Sequence, residues 1–120
     1  MWTGHNKGKA QVPSSTLLGY LNSINAQTSI FGTLSRQSAY SILWPKEPAP
    51  MCTRALQQLL ALWLNWACGA VNSYQMVYDV VNGTYVQFNV LMPQLQTAIL
   101  NGNCDWPHAV ADWLNNSGYE

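Results

Sequence analysis

The sequence predicts an all-α protein, a compact bundle of about five to six helices around one central apolar helix. Three observations predict this class. The chain has 120 residues, which fits a single domain with a real core, so we take residues 1–120 as one helical domain. Apolar residues make up 48% of the chain, and most of them recur at helical spacing. Proline, glycine and asparagine separate these apolar runs at intervals that suit short helices.

The first helix is predicted for about Ser15 to Gln27, directly after a proline and two serines. Its apolar residues at helical spacing are Leu17, Leu18, Leu21 and Ile24. A second, short helix follows Ser35, whose hydroxyl can cap its amino terminus. Prolines at positions 45, 48 and 50 then predict a rigid linker at which the chain turns back.

The central helix is predicted for about residues 53–68, with Thr53 as its cap and Gly69 as its stop. Its apolar residues occupy more than one face: Leu56, Leu59, Leu60, Leu62, Trp63, Trp66 and Ala67. A helix that is apolar on most sides belongs in the middle of a bundle. Polar residues interrupt the run, so we expect a buried helix here and no membrane span.

Residues 72–100 are ambiguous. Asn72 can cap a helical segment that carries Met76, Val77 and Val80, and an Asn-Gly pair at positions 82 and 83 predicts a turn. The first half of residues 84–100 has β-branched and aromatic residues that could pair as a strand: Tyr85, Val86, Phe88 and Val90. The second half has helical spacing: Leu91, Leu95, Ile99 and Leu100. We favour a helix from about residue 85 to residue 100, with a kink at the proline of position 93.

The last helix is predicted more clearly, from a cap at Asp105 to an end near Asn116. Pro107 falls in its first turn, where a proline is tolerated. Val110, Trp113 and Leu114 form its apolar face.

Charge is scarce in this chain. Charged residues make up 8% of the sequence, the formal net charge is zero, and the lysines and arginines are scattered. Nucleic acid is therefore not an expected partner, since phosphate binding needs a clustered positive face. Amides and hydroxyls supply the surface polarity instead, and such a surface permits close self-association.

Three cysteines, Cys52, Cys68 and Cys104, match neither a zinc site nor a redox motif. A helix between Cys52 and Cys68 would separate them by about 24 Å, too far for a bridge. Cys104 is therefore the expected partner of Cys52 or of Cys68. The remaining thiol is a buried apolar residue, a chain-to-chain disulfide or a reactive group.

Aromatic residues are more numerous than one small core needs, with six tryptophans and six tyrosines. Trp63 and Trp66 suit the core. Exposed tryptophan and tyrosine anchor protein interfaces and stack on sugar rings. The residues predicted for such an interface or ligand surface are Trp2, Trp44, Trp106 and Tyr119.

No catalytic, metal or cofactor site is expected. The two histidines, His5 and His108, match no ligand spacing, and the chain contains neither a G-x-S-x-G elbow nor a phosphate-binding loop. Two N-x-S/T triplets begin at Asn82 and Asn115 and permit N-glycosylation.

Three stretches of the chain resemble a small helical domain found in large, poorly characterised secreted proteins of bacteria and archaea. They are WTGHNKGKAQ at residues 2–11, RALQQLLALWLN with a later Gly-Ala at residues 54–70, and an Asn-Gly to Asn-Asn tail at residues 101–116. The resemblance implies extracellular location and a structural or adhesive role without a known activity or cofactor. It also implies a processed or truncated piece of a longer protein, because the chain begins at the aromatic position of that signature. Cys68 departs from the family pattern, which has a small polar residue there.

The sequence thus predicts a non-catalytic extracellular or cell-surface module. Its expected partners are copies of itself, in the form of a surface fibre or sheath, or a host surface protein. The alternative is a carbohydrate-binding module that uses exposed tryptophan and tyrosine.

Overall fold

The computed structural model describes residues 14–119, which form five helices and one two-stranded sheet. The elements in chain order are α1 (Ser14–Gln27), α2 (Arg36–Leu43), α3 (Met51–Ala67), β1 (Met76–Asp79), β2 (Thr84–Gln87), α4 (Phe88–Leu100) and α5 (Asp105–Ser117). Helices contain 61% of the described residues. The predicted helical class is confirmed, and the sheet is an addition to it.

α3 lies in the core and contacts all four other helices. Its residues Leu59–Asn65 are buried without interruption, so neighbours cover every side of this stretch. The helix ends before Gly69 as predicted, and Gly69 has a φ of +89°, which glycine adopts without strain. Its start differs from the prediction, because Pro50 rather than Thr53 precedes the first turn and its carbonyl accepts the amide of Arg54 at 3.0 Å.

α2 begins where the sequence predicts. The Ser35 hydroxyl accepts the Ser38 amide at 3.1 Å, and the Ser38 hydroxyl accepts the Ser35 amide at 2.8 Å. This reciprocal pair satisfies two amides that have no partner inside the helix.

The helices predicted for residues 72–80 and for the start of residues 85–100 are wrong. β1 and β2 form an antiparallel hairpin there, with Met76 opposite Gln87 and Asp79 opposite Thr84. Both strands are rich in β-branched and aromatic residues, and the four-residue turn between them ends at Gly83, whose φ is +68°. This local chemistry favours a hairpin, so α4 begins only at Phe88.

α5 begins one residue earlier than predicted, because Cys104 occupies the cap position and Asp105 is the first helical residue. Pro107 is buried in the first turn. α5 packs chiefly on α3. An amide network joins the two helices: Asn65 Nδ2 donates to Asn115 Oδ1 at 3.1 Å, and Asn115 Nδ2 donates to Gln58 Oε1 at 2.9 Å.

Candidate functional site

Exposed apolar side chains concentrate on the hairpin. Of eleven exposed large hydrophobic side chains in the described residues, five lie between residues 74 and 85. They are Tyr74, Met76, Val80, Val81 and Tyr85. The half-buried Tyr78 contacts the ring of Tyr85, and the half-buried Trp113 contacts the ring of Tyr78. We call these seven side chains the hairpin surface.

Three aromatic rings run across this surface from the hairpin to α5. The rings of Tyr78 and Tyr85, which are directly opposite in the register, lie 5.1 Å apart between centroids. The centroid of the Trp113 ring lies 5.4 Å from that of Tyr78. Tyr85 is 57% exposed, whereas Tyr78 and Trp113 are half-buried. The three rings therefore present aromatic surface to solvent while Tyr78 and Trp113 hold them against the fold.

A buried carboxylate holds the turn beneath this surface. Asp79 is 2% exposed, and its carboxylate accepts hydrogen bonds from the amides of Val81 and Asn82 at 3.0 and 3.1 Å. It also accepts Asn82 Nδ2 at 2.7 Å and the indole N–H of Trp106 at 3.3 Å. These donors fix the turn and join the hairpin to α5 through Trp106.

The exposed part of the hairpin carries no formal charge. Asp79 is the only aspartate, glutamate, lysine, arginine or histidine between residues 73 and 89, and it is buried. Proteins commonly protect exposed strand edges with charged side chains, lysine above all. This hairpin lacks that protection, so its surface is suited to contact with another molecule.

The predicted interface residues occupy different environments. Trp44 is 48% exposed and stacks on the exposed Tyr40, with centroids 4.8 Å apart and planes inclined by 26°. Trp106 is only partly exposed, packs against the core and donates its indole N–H to Asp79. Trp2 and His5 lie outside the described residues. Of the predicted aromatics that the structure describes, only Trp44 is clearly exposed.

Tyr119, which the sequence predicts for the interface, is half-buried and has partners within the fold. Its ring packs against the core, and its hydroxyl accepts a hydrogen bond from Asn65 and donates one to Asn115 at 3.3 Å. Its carbonyl accepts Gln75 Nε2 at 3.0 Å. Tyr119 therefore joins the amide network between α3 and α5 through its hydroxyl.

This burial predicts a loss of stability at alkaline pH. Burial raises the pKa of Tyr119 above its ordinary value of 10.0, and the hydrogen bond from Asn65 opposes the rise only in part. The folded chain thus keeps a proton that the unfolded chain loses. The contribution of the protonated Tyr119 to the free energy of unfolding is fully present below about pH 10. Above that pH it falls by at most about 1.4 kcal/mol per pH unit.

Urea unfolding of wild type and Tyr119→Phe between about pH 9 and about pH 11 tests this result. We expect a shallower decline in the variant, whereas Tyr74→Phe, which removes an exposed phenol, keeps the wild-type slope. Equal slopes in wild type and Tyr119→Phe would contradict the assignment.

Among the cysteines, Cys52 and Cys104 form a disulfide with Cα atoms 5.0 Å apart. The bridge ties the first turn of α3 to the cap position of α5. Of the two pairings that the sequence leaves open, the structure contains this one. Cys68 is a half-buried free thiol at the end of α3, with its Sγ 3.5 Å from the Asn65 carbonyl.

The two N-glycosylation triplets also differ. Asn82 is exposed in the hairpin turn, with its amide nitrogen on Asp79. Asn115 is half-buried, and its amide nitrogen donates to both oxygens of Gln58. A glycan on Asn115 would break those bonds, so the structure disfavours that predicted site.

Residues 14–119 show neither a metal-binding cluster nor a membrane-spanning helix. No three histidine, cysteine, aspartate or glutamate side chains in this range come together as a metal site. None of the helices in the same range is long and apolar enough to cross a membrane.

The sequence did not predict the hairpin surface. The signal that could have found it is the pair of short segments, residues 76–79 and 84–87, that contain β-branched and aromatic residues on both sides of the Asn82-Gly83 turn. No family model matches the chain, and no curated protein or solved structure matches it significantly.

Proposed function

We propose that this chain is a non-catalytic structural module of an extracellular or cell-surface assembly and that it associates with copies of itself through the hairpin surface. The supporting observation is the concentration of exposed apolar side chains on an uncharged hairpin. A surface fibre or sheath is the most specific form of this proposal. Contact with a host surface protein is the other form.

Charge favours copies of the same chain as the partner. The formal net charge is zero, with five basic and five acidic residues in 120, so two copies meet with little long-range repulsion. A surface without charges also costs little to desolvate against an identical surface. Isologous pairing gives a closed dimer, whereas head-to-tail contact gives an open fibre.

The strands add a second attraction. β1 and β2 are each other's only strand neighbours in the described part of the chain, so each has one edge without a strand partner. Unpaired backbone groups at such edges can pair with a strand from another chain. The exposed Val81 and Tyr85 would flank that contact.

The Cys52–Cys104 disulfide supports the extracellular setting, because such bonds persist mainly in oxidising compartments. The resemblance of residues 2–11 and 54–70 to a secreted helical domain agrees with that setting.

Light-scattering mass over a concentration series, without reductant at neutral pH, tests self-association. We expect the wild-type chain to have a mass above the 13.4 kDa of one chain. We expect Val81→Lys and Tyr85→Lys to lower the mass to that of a monomer. A lysine in the turn at position 81, or on β2 at position 85, introduces like charges where two copies meet. A monomeric wild-type chain would exclude this proposal.

Two control variants test whether association depends specifically on the hairpin surface. Leu100→Lys places the same charge on an exposed apolar residue at the end of α4, and it should keep the wild-type mass. Cys68→Ser should also keep it, since association through the hairpin needs no bond between chains. Dissociation by Cys68→Ser would instead identify a chain-to-chain disulfide.

Carbohydrate binding at the stacked Tyr40–Trp44 pair is the second candidate function, favoured by the exposure of both rings. A glycan array tests it. Binding lost in Trp44→Ala and kept in Tyr74→Ala would support it, and a silent array would count against it.

A further inference from the structure

A small pocket between α3 and α4 combines aromatic walls with neutral polar side chains. It measures about 100 Å³, and the buried Trp63, Phe88 and Met92 form its floor. The half-buried Trp66 lines the side. At about 30 Å³ per water molecule, this volume holds a group of about three or four non-hydrogen atoms.

Hydrogen bonds hold the two indole rings of this pocket in place. Trp63 Nε1 donates to Gln96 Oε1 at 3.0 Å, and Trp66 Nε1 donates to Ser73 Oγ at 2.8 Å. The two rings meet edge to face, with centroids 5.2 Å apart. The aromatic walls are therefore ordered before any ligand enters, which lowers the entropic cost of binding.

The polar groups of the pocket are neutral. Gln96 still has its amide nitrogen as a donor, and Ser73 still has its hydroxyl proton. Gln27 and Asn89 place two exposed amides at the rim. None of the described residues that line the pocket is ionisable, so a charged ligand would lose its hydration without gaining a counter-charge.

A ligand group that fits must be neutral, small, apolar at one end and able to donate and accept hydrogen bonds at the other. An acetamido group has these properties, with a methyl for the aromatic floor and an amide for the side chains of Gln96 and Ser73. We propose that this pocket binds the acetamido group of a neutral N-acetylated amino sugar. The sugar ring stays outside, where Gln27 and Asn89 can bond to its hydroxyls.

The rim favours a sugar over an acetylated lysine side chain as the source of this group. An acetyl-lysine has a long aliphatic stem and needs an apolar channel above the acetyl site. Here two amides stand at the rim, which suits ring hydroxyls better. This pocket shares no residue with the hairpin surface, and the inference does not rest on self-association.

NMR of the full chain, observed at the tryptophan indole N–H groups, tests the proposal. We expect the trimer of N-acetylglucosamine to shift the Trp63 and Trp66 signals saturably, with a Kd of about 1 mM or tighter. The trimer of glucose, neutral but without acetamido groups, should shift neither. The Trp113 signal serves as an internal reference on the hairpin surface.

Matched variants locate the binding. Asn89→Ala should weaken binding of the acetylated trimer about fivefold, because it removes one rim amide. Gln94→Ala removes an exposed amide on the same helix outside this pocket and should leave the Kd unchanged. Equal effects of the two variants would overturn the assignment of the site.

Three other results would overturn the proposal. They are absence of shifts at Trp63 and Trp66, equal binding of the glucose trimer, and binding of an acetyl-lysine peptide in place of the sugar. Shifts confined to Trp44 would move sugar binding to the Tyr40–Trp44 pair and would also exclude this pocket.

Discussion

Loss of the Cys52–Cys104 disulfide is expected to lower the free energy of unfolding by about 4 kcal/mol. The two cysteines are 52 residues apart, and a cross-link over a loop of that length removes entropy from the unfolded chain worth about 4 kcal/mol at 25 °C. Small domains have a net stability of about 5–15 kcal/mol. Urea unfolding of the Cys52→Ser/Cys104→Ser double variant should therefore show a large fall in the midpoint.

Cys68→Ser is the matched control, and it should change the free energy of unfolding by less than about 1 kcal/mol, because the thiol is half-buried and lies outside the bridge. Thiol labelling adds a direct readout if the double variant does not fold. In denaturant without reductant, one of the three cysteines of the wild-type chain should react. Labelling of all three would refute the bridge.

Asp79→Ala is expected to lower the free energy of unfolding by about 2–4 kcal/mol. The substitution removes a 2%-exposed carboxylate that accepts hydrogen bonds from the hairpin turn and from Trp106. The indole N–H of Trp106 then loses its acceptor in a partly buried position, and bonds to a charged group contribute more than neutral ones. Asp79→Asn should fall between wild type and Asp79→Ala, since it keeps one acceptor oxygen.

Asp112→Ala is the control for this experiment. Asp112 accepts Asn116 Nδ2 at 3.0 Å on the exposed side of α5, so its removal should cost less than about 1 kcal/mol. Urea unfolding of the three variants gives the comparison. Equal losses in Asp79→Ala and Asp112→Ala would show that the hairpin turn does not depend on the buried carboxylate.

Local sequence patterns predicted the helices well where a cap, a stop and an apolar face coincided. α1, α2 and the end of α3 agree with the prediction, because Ser35 and Gly69 act within a few residues of their own positions. The prediction failed at residues 76–87. There the apolar runs are too short for their spacing to distinguish a helix from a strand, and only pairing between the two strands decided the outcome.

The candidate sites were harder to predict than the helices. Trp44 is exposed as expected, whereas Tyr119 and Trp106 have partners from other elements that no local pattern reveals. The same holds for the choice of Cys52 as the partner of Cys104. The pocket beside Trp63 brings together residues of α1, α3 and α4 with Ser73 and is invisible to sequence spacing.

The sequence by itself thus determined the helical class, the buried central helix and the low charge of the surface, because periodicity and composition act locally. Only the tertiary structure decided which aromatics are exposed, which cysteines pair and that Asp79 is a buried acceptor. Those outcomes depend on contacts between residues far apart in the chain, and the free energy of such contacts exists only once the elements have packed together.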